Sequence, residues 1–150
     1  MTQLVMPQDA NNWGTAFGGK VLAWIDIAAA IAAGRHADGM VVTAAMDDVH
    51  FIRPILRGDV VILKARVNYV GRSSMEVGVR VEGEVWGGER YHALSAYVTF
   101  AALDPDKRVP RQVAALDPQT DEERRRAAQG EARMLKRREL RATRLARLNT

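Results

Sequence analysis

Asp26 is an acid placed where an acid is hard to keep. Between Lys20 and Gly34 its companions are Val21, Leu22, Trp24, Ile25, Ile27, Ile31 and alanines. An ionised carboxylate in that company is costly unless it is solvated, paired or put to use. Its chemical uses would be proton transfer or nucleophilic attack; its bland use is as a solvated partner of the helix dipole. Two glycines, Gly18 and Gly19, stand just before this run. Backbone N–H groups free of side chains at a helix start can stabilise developing negative charge, and the same pair can simply permit a tight turn. Upstream, Asp9, Asn11 and Asn12 form a polar cluster whose default reading is turn or cap residues.

Other chemistries find less support. Cysteine is absent, which excludes disulfides, thiolate nucleophiles and cysteine-bound metal and suits a reducing compartment. The three histidines, His36, His50 and His92, fall in neither a triad nor an H-E-x-x-H spacing. No metal and no cofactor is expected.

The elements that must position these residues follow from periodicity. Apolar positions from Val21 to Ala32 recur at helical spacing nearly all round the axis, giving a buried helix over about 19–33 with Gly34 as its left-handed cap. Residues 41–52, 59–70, 74–86 and 90–103 are rich in Val, Ile, Thr, Tyr and Phe and separated by short turns. They read as four strands, with a further strand near residues 3–6. Met75, Val77, Val79 and Val81 alternate with Glu76, Arg80, Glu82 and Glu84, so one face is buried and the other wet. Short links favour antiparallel pairing. The fold class is α+β: a five- to six-stranded antiparallel sheet around a central helix.

After Pro118, Thr120 and Glu123 form a capping box that opens a helix over about 121–147. Its apolar stripe of Ala128, Ala132, Leu135 and Ala142 is thin. With 150 residues, 47% hydrophobic, one core is expected, divided as a domain over 1–118 and a charged helical extension over 119–150. The extension carries ten Arg or Lys against five acids, and the remainder twelve against thirteen. The basic excess therefore belongs to the tail, and no nucleic-acid-binding core is expected. No signal-like start and no apolar run of ~20 residues is present, which leads to the expectation of a cytoplasmic chain without membrane contact.

Taken in order, Met6-Pro7 through Asn11, Gly14, Phe17-Gly18-Gly19, Trp24-Ile25-Asp26, Arg35-His36-Ala37, Val42-Thr43-Ala44, Phe51, Pro54-Ile55, Gly58-Asp59 and Gly71-Arg72-Ser73-Ser74-Met75-Glu76 resemble the acyl-CoA thioesterases of the hot-dog fold. The likeness is to the group of bacterial short-chain acyl-CoA hydrolases and the vertebrate cytosolic acyl-CoA thioester hydrolase, over about residues 3–103. It implies a sheet wrapped around a central helix and a homodimer as the minimal active unit, commonly assembled into a hexamer as a trimer of dimers. It implies hydrolysis of acyl-CoA to free acid and CoA, with Asp26 as general base or nucleophile and Asn11 supplied by the neighbouring subunit. By the same resemblance, Gly18 and Gly19 polarise the carbonyl, and Arg72, Ser73 and Ser74 hold the CoA portion. Trp13, Phe17 and Phe51 are candidates to line the acyl pocket. CoA enters as part of the substrate. The alternatives are a hydroxyacyl-thioester dehydratase, which needs a His and acid pair, and a non-catalytic acyl-CoA-binding protein.

Overall fold

A computed structural model describes residues 1–149 of the chain. Five strands form one antiparallel sheet: β1 (Thr2–Leu4), β2 (Val41–Phe51), β3 (Val60–Val70), β4 (Ser74–Glu84) and β5 (Arg90–Ala102), in the spatial order β1-β3-β4-β5-β2. A short 3-10 turn at Pro7–Asp9 leads into α1 (Gly18–Ala37), and α2 (Asp121–Leu148) closes the chain. Among the described residues β2 pairs only with β5, so its eleven residues have one free edge. Bulges between Thr43 and Ala45 and between Asp47 and His50 bend it, the second with Asp48 at φ 51°.

The sheet curls around α1. Val21, Trp24, Ile25, Ala28, Ala29, Ala33 and Ala37 are buried in one core with Val61, Leu63, Val77, Val79, Val81, Leu94, Val98 and Phe100. These sheet residues come from the alternating positions of β3, β4 and β5 that face the helix, as the period-2 pattern requires. The opposite flank of α1 is bare. Ala23, Ile27 and Ile31, spaced four apart, are exposed, so a helix apolar nearly all round is wrapped by its own chain on one side only.

The helix also runs farther than the sequence suggests. Gly34 lies inside it, and Asp38, left-handed at φ 48°, is the cap. Asp tolerates that conformation better than most residues. The added turn is held from outside: Arg111 Nη2 donates to the Ala37 carbonyl at 2.6 Å, and His36 Nε2 lies 2.8 Å from the Ala114 carbonyl.

The outer face of the sheet is not uniformly wet, because α2 lies on it. Glu76, on the polar side of β4, is fully buried. The Arg133 guanidinium donates to both its oxygens, Nε to Oε2 at 3.0 Å and Nη2 to Oε1 at 2.7 Å, and stacks 3.7 Å from the Tyr97 ring centre. Arg137 pairs with Asp47 at 2.5 Å. Gly130 lets the helix approach: a Cβ there would stand 2.7 Å from the Cβ of Tyr69. Gly130 and Met134 are thus the buried residues of α2, whereas Ala128, Ala132 and Leu135 turn outward. The contact face was hidden in sequence because it is built from arginine stems, a glycine and one methionine rather than an apolar stripe. The capping box forms as expected, with Glu123 N donating to Thr120 Oγ1 at 3.1 Å and Thr120 N to Glu123 Oε2 at 3.3 Å.

Removing Arg133 would leave Glu76 buried with only Arg137 Nη2, 3.7 Å away. Arg133→Ala should therefore destabilise the fold by about 3 kcal/mol, the lower end for a broken buried pair. Glu76→Met combined with Arg133→Met should recover most of that loss. Urea denaturation of the three chains checks both statements.

Candidate functional site

Asp26 sits two turns into α1, half-buried at the edge of the bare flank. Thr43 on β2, beside the first bulge, donates its hydroxyl to Asp26 Oδ1 at 2.7 Å. The charged carboxylate thereby gains a partner that fixes its orientation. Among the described residues, its second oxygen has no hydrogen-bond partner and stays available.

Asn11 occupies a tightly determined loop. Its Oδ1 accepts from the backbone N–H groups of Trp13 at 2.9 Å and Thr15 at 3.2 Å, and its Nδ2 donates to Thr15 Oγ1 at 2.7 Å. The turn reading of Asn11 is therefore correct, and it leaves one amide N–H unspent. Gly14 closes the turn at φ 77°, which glycine adopts freely. Asp9, by contrast, is buried and structural: it accepts from Met6 N at 3.0 Å and pairs with Lys20 at 3.3 Å.

Gly18 and Gly19 are the first residues of α1, with Phe17 at the N-cap and no side chain capping the end. Their N–H groups are the helix-start donors that the sequence indicates. A Cβ on Gly19 would meet the Phe17 ring at 2.7 Å, so the absence of a side chain also serves packing. Eight residues separate Gly18 from Asp26, about 12 Å along the axis. That is far beyond the ~3 Å over which donors and a base can act on one carbonyl. The glycines thus stand well clear of Asp26 of the same chain, and among the described residues no hydrogen bond joins Asn11 to it.

Beside the helix start lies a cavity of about 260 Å³ lined by Thr15, Ala16, Gly18, Phe51, Pro54 and Ile55. Phe51 is the one acyl-pocket candidate that faces it; Trp13 and Phe17 stand exposed outside. Its walls are fixed by Ala16 N to the Ile55 carbonyl at 2.7 Å and Arg57 N to the Gly14 carbonyl at 2.8 Å. Behind them, buried Asp59 accepts from Tyr91 Oη at 2.7 Å and Leu56 N at 3.3 Å. Burial, followed by the Asp59 carboxylate, pushes the Tyr91 phenol well above its ordinary pKa.

Arg72, Ser73 and Ser74 lie together at the turn from β3 into β4, away from the Asn11 loop in sequence. The turn is braced by Ala102 N to the Ser73 carbonyl and Val113 N to the Arg72 carbonyl, at 2.8 and 2.9 Å. The Arg72 side chain is exposed. Arg138 of α2 reaches the same turn, its Nη2 3.7 Å from where a Cβ on Gly71 would lie. Sequence reasoning missed Arg138, and it missed the role of Thr43 although Val42-Thr43-Ala44 formed part of the resemblance. Both contacts join elements distant in the chain, and no local spacing signals them.

Residues 14–85 match the Thioesterase superfamily. The chain is also 46% identical over 123 residues to the uncharacterized acyl-CoA thioester hydrolase YkhA of Bacillus subtilis, covering 81% of this chain and 71% of that one. The chain belongs to the thioesterase superfamily. Its hot-dog sheet and central helix superpose with a TM-score of 0.88 on an apo-hexameric acyl-CoA thioesterase, 42% identical, covering 95% of this chain and 91% of that one. A Staphylococcus aureus acyl-CoA hydrolase, in complex with butyryl coenzyme A and coenzyme A, gives a TM-score of 0.88 at 38% identity and covers all of this chain and 93% of its own. That hydrolase has also been solved with alanine in place of one asparagine, one aspartate and one threonine, which follow one another at intervals of fifteen and seventeen residues.

The Tyr91–Asp59 bond gives this subsection its test. Tyr91→Phe leaves a buried carboxylate short of a donor and should cost about 1–3 kcal/mol. Thermal unfolding of this variant against wild type measures the loss.

Proposed function

We propose that this thioesterase-superfamily chain hydrolyses acyl-CoA to the free acid and CoA in sites that two copies build together. The observation that carries this reading is the Thr43-held carboxylate of Asp26 at the edge of an unburied apolar helix flank, ~12 Å from the donors of its own chain. The free edge of β2 and exposed Ile27, Ile31 and Trp13 supply the surface on which a second copy would pack. Asn11, Asp26 and Thr43 are also separated by fifteen and seventeen residues, the intervals of the three alanine variants in the Staphylococcus hydrolase. The hexameric neighbour supports further assembly to six copies, which we read as a trimer of dimers.

In this reading, the free oxygen of Asp26 takes a proton from water as the water attacks the thioester carbonyl. Asn11 of the partner subunit offers its unspent amide N–H to the water or carbonyl, and the N–H groups of Gly18 and Gly19 stabilise the oxyanion. Collapse releases the CoA thiolate, which is protonated, and the carboxylic acid. Arg72, Ser73 and Ser74 hold the nucleotide or pantetheine portion through a guanidinium fork and hydroxyl donors. Phe51, joined in the assembly by Trp13 and Phe17, lines the acyl end. We place the enzyme in the cytoplasm, in line with a relative, the mouse cytosolic acyl coenzyme A thioester hydrolase; among the described residues, no helix is long and apolar enough to cross a membrane.

Asp26→Ala should lower kcat on the order of 10³-fold, as loss of a general base does, and Asn11→Ala by about 10²-fold. Release of free thiol from acetyl-, hexanoyl- and benzoyl-CoA measures both. Full turnover by Asp26→Ala would contradict the assignment. Thr43→Val keeps side-chain volume, loses a hydrogen bond to a charged group and should lower kcat by about 10 to 100-fold with KM little changed. Single-turnover hydrolysis in ¹⁸O-water should place the label in the acid product and none on Asp26; label on Asp26 would mean attack by the carboxylate itself.

A further inference from the structure

Thr43 and Asp47 stand on one strand, four residues apart, yet they act on opposite faces of the sheet. Thr43 Oγ1 donates inward to Asp26 Oδ1 at 2.7 Å, and Asp47 accepts from Arg137 Nε of α2 on the outer side at 2.5 Å. In an uninterrupted strand, residues four apart share a face. Here Thr43 lies opposite Phe100 of β5 and Ala45 lies opposite Thr99, so β2 spends two steps where β5 spends one. Phe100 and Val98 belong to the core beside α1, whereas Tyr97 lies under Arg133 of α2. Thr43 and Met46, opposite Phe100 and Val98, therefore face α1, while Ala45 and Asp47, opposite Thr99 and Tyr97, face α2. Ala44 is the extra residue of a β-bulge, and without it one part of the strand would turn over.

The backbone does little to hold that bulge in place. The β2–β5 ladder is broken on both sides of the Ala45–Asp47 stretch, at Thr43/Ala45 and again at Asp47/His50, where Asp48 takes φ 51°. Side chains pin the stretch instead. Met46 packs against the core from inside, and Arg137 grips Asp47 from outside. Arg137 is itself well placed to do so: its Nη1 lies 3.4 Å from Met134 Sδ, and its Nη2 lies 3.7 Å from Oε2 of the buried Glu76 that docks α2. A partly buried ion pair of this kind is screened less than one in open solvent. Holding Asp47 outward without the bulge would turn Thr43 away from Asp26. Holding Thr43 inward without it would press the Asp47 carboxylate into the apolar core, which is costly.

We propose that Asp47 and Arg137 are positioning residues of the hydrolytic site, holding the Ala44 bulge so that the Thr43 hydroxyl stays aimed at Asp26. The proposal rests on the reading of Asp26 as the base. Asp47 acts only through β2, because its carboxylate lies on the face of the sheet opposite Asp26. The C-terminal helix thereby takes part in the reaction without touching the reacting atoms.

A double-mutant cycle on hexanoyl-CoA hydrolysis tests this, with Arg137→Met and Asp47→Asn made alone and in the Thr43→Val background, and urea denaturation reporting that each chain is folded. Asp47→Asn leaves Arg137 beside Glu76, so it separates loss of the grip on β2 from loosening of α2. Each single substitution should lower kcat by about 3- to 10-fold with KM within about twofold of wild type. Arg137→Lys, which keeps a cation beside Asp47, should restore most of the rate. In the Thr43→Val background neither substitution should lower kcat further, because residues that act through one bond are not additive. Fully multiplicative losses would overturn the proposal, as would wild-type kcat in both single variants. So would a rise in KM at unchanged kcat, which would put Arg137 on the substrate. Full turnover by Asp26→Ala would remove the reading of the base and this inference with it; multiplicative losses beside an inactive Asp26→Ala would remove this inference alone.

Discussion

Everything in this molecule depends on α1 being apolar on more sides than its own sheet can cover. Val21, Trp24, Ile25, Ala28, Ala29 and Ala33 fill the hollow of the sheet, and the fully buried Val21 and Ile25 side chains each contribute roughly 1.5–3 kcal/mol. Ala23, Ile27 and Ile31 remain outside. Asp26 lies on the seam between these flanks, shielded enough to be oriented by Thr43 and open enough to meet water. A helix fully enclosed by its own chain would bury the carboxylate, and one on a wet surface would leave it an ordinary solvated acid. The same half-burial that positions the acid also exposes the apolar surface a second copy would cover, so in this account assembly and chemistry share one cause.

The back of the sheet follows a different logic. There the chain buries a charge, Glu76, and satisfies it with the Arg133 fork, the tyrosine face beneath Arg133 and a glycine that lets the helix come close. Such a pair adds little net stability over apolar packing but penalises any arrangement that separates its members. It fixes where α2 sits, and with it the arginines that face Lys64, Arg66 and Arg80.

How much of this could be read from the chain depended on the range of each interaction. Alternation in Met75–Val81 marked a strand, Thr120 and Glu123 marked a helix start, and the lone acid Asp26 marked a candidate site, because each signal lies within a few residues. The end of α1 was misjudged at Gly34 because the residues that hold its last turn, Arg111 and Ala114, come from beyond β5. Glu76 looked like a wet-face residue for the same reason: its cover arrives 57 residues later. Thr43 and Asp26 meet only when β2 folds against α1. The local turn around Asn11 was legible, while the distance of Asp26 from the helix-start donors requires the folded start of α1 at Gly18.

The claim that the hydrolytic site is shared between chains has a direct measurement. Asp26→Ala and Asn11→Ala chains, each inactive or nearly so alone, are mixed, unfolded together and refolded so that dimers form at random. If the base comes from one subunit and the amide from the other, half of the dimers are mixed and each has one intact site, so about a quarter of wild-type thioesterase activity should return. A mixture no more active than the average of its two components would contradict the account.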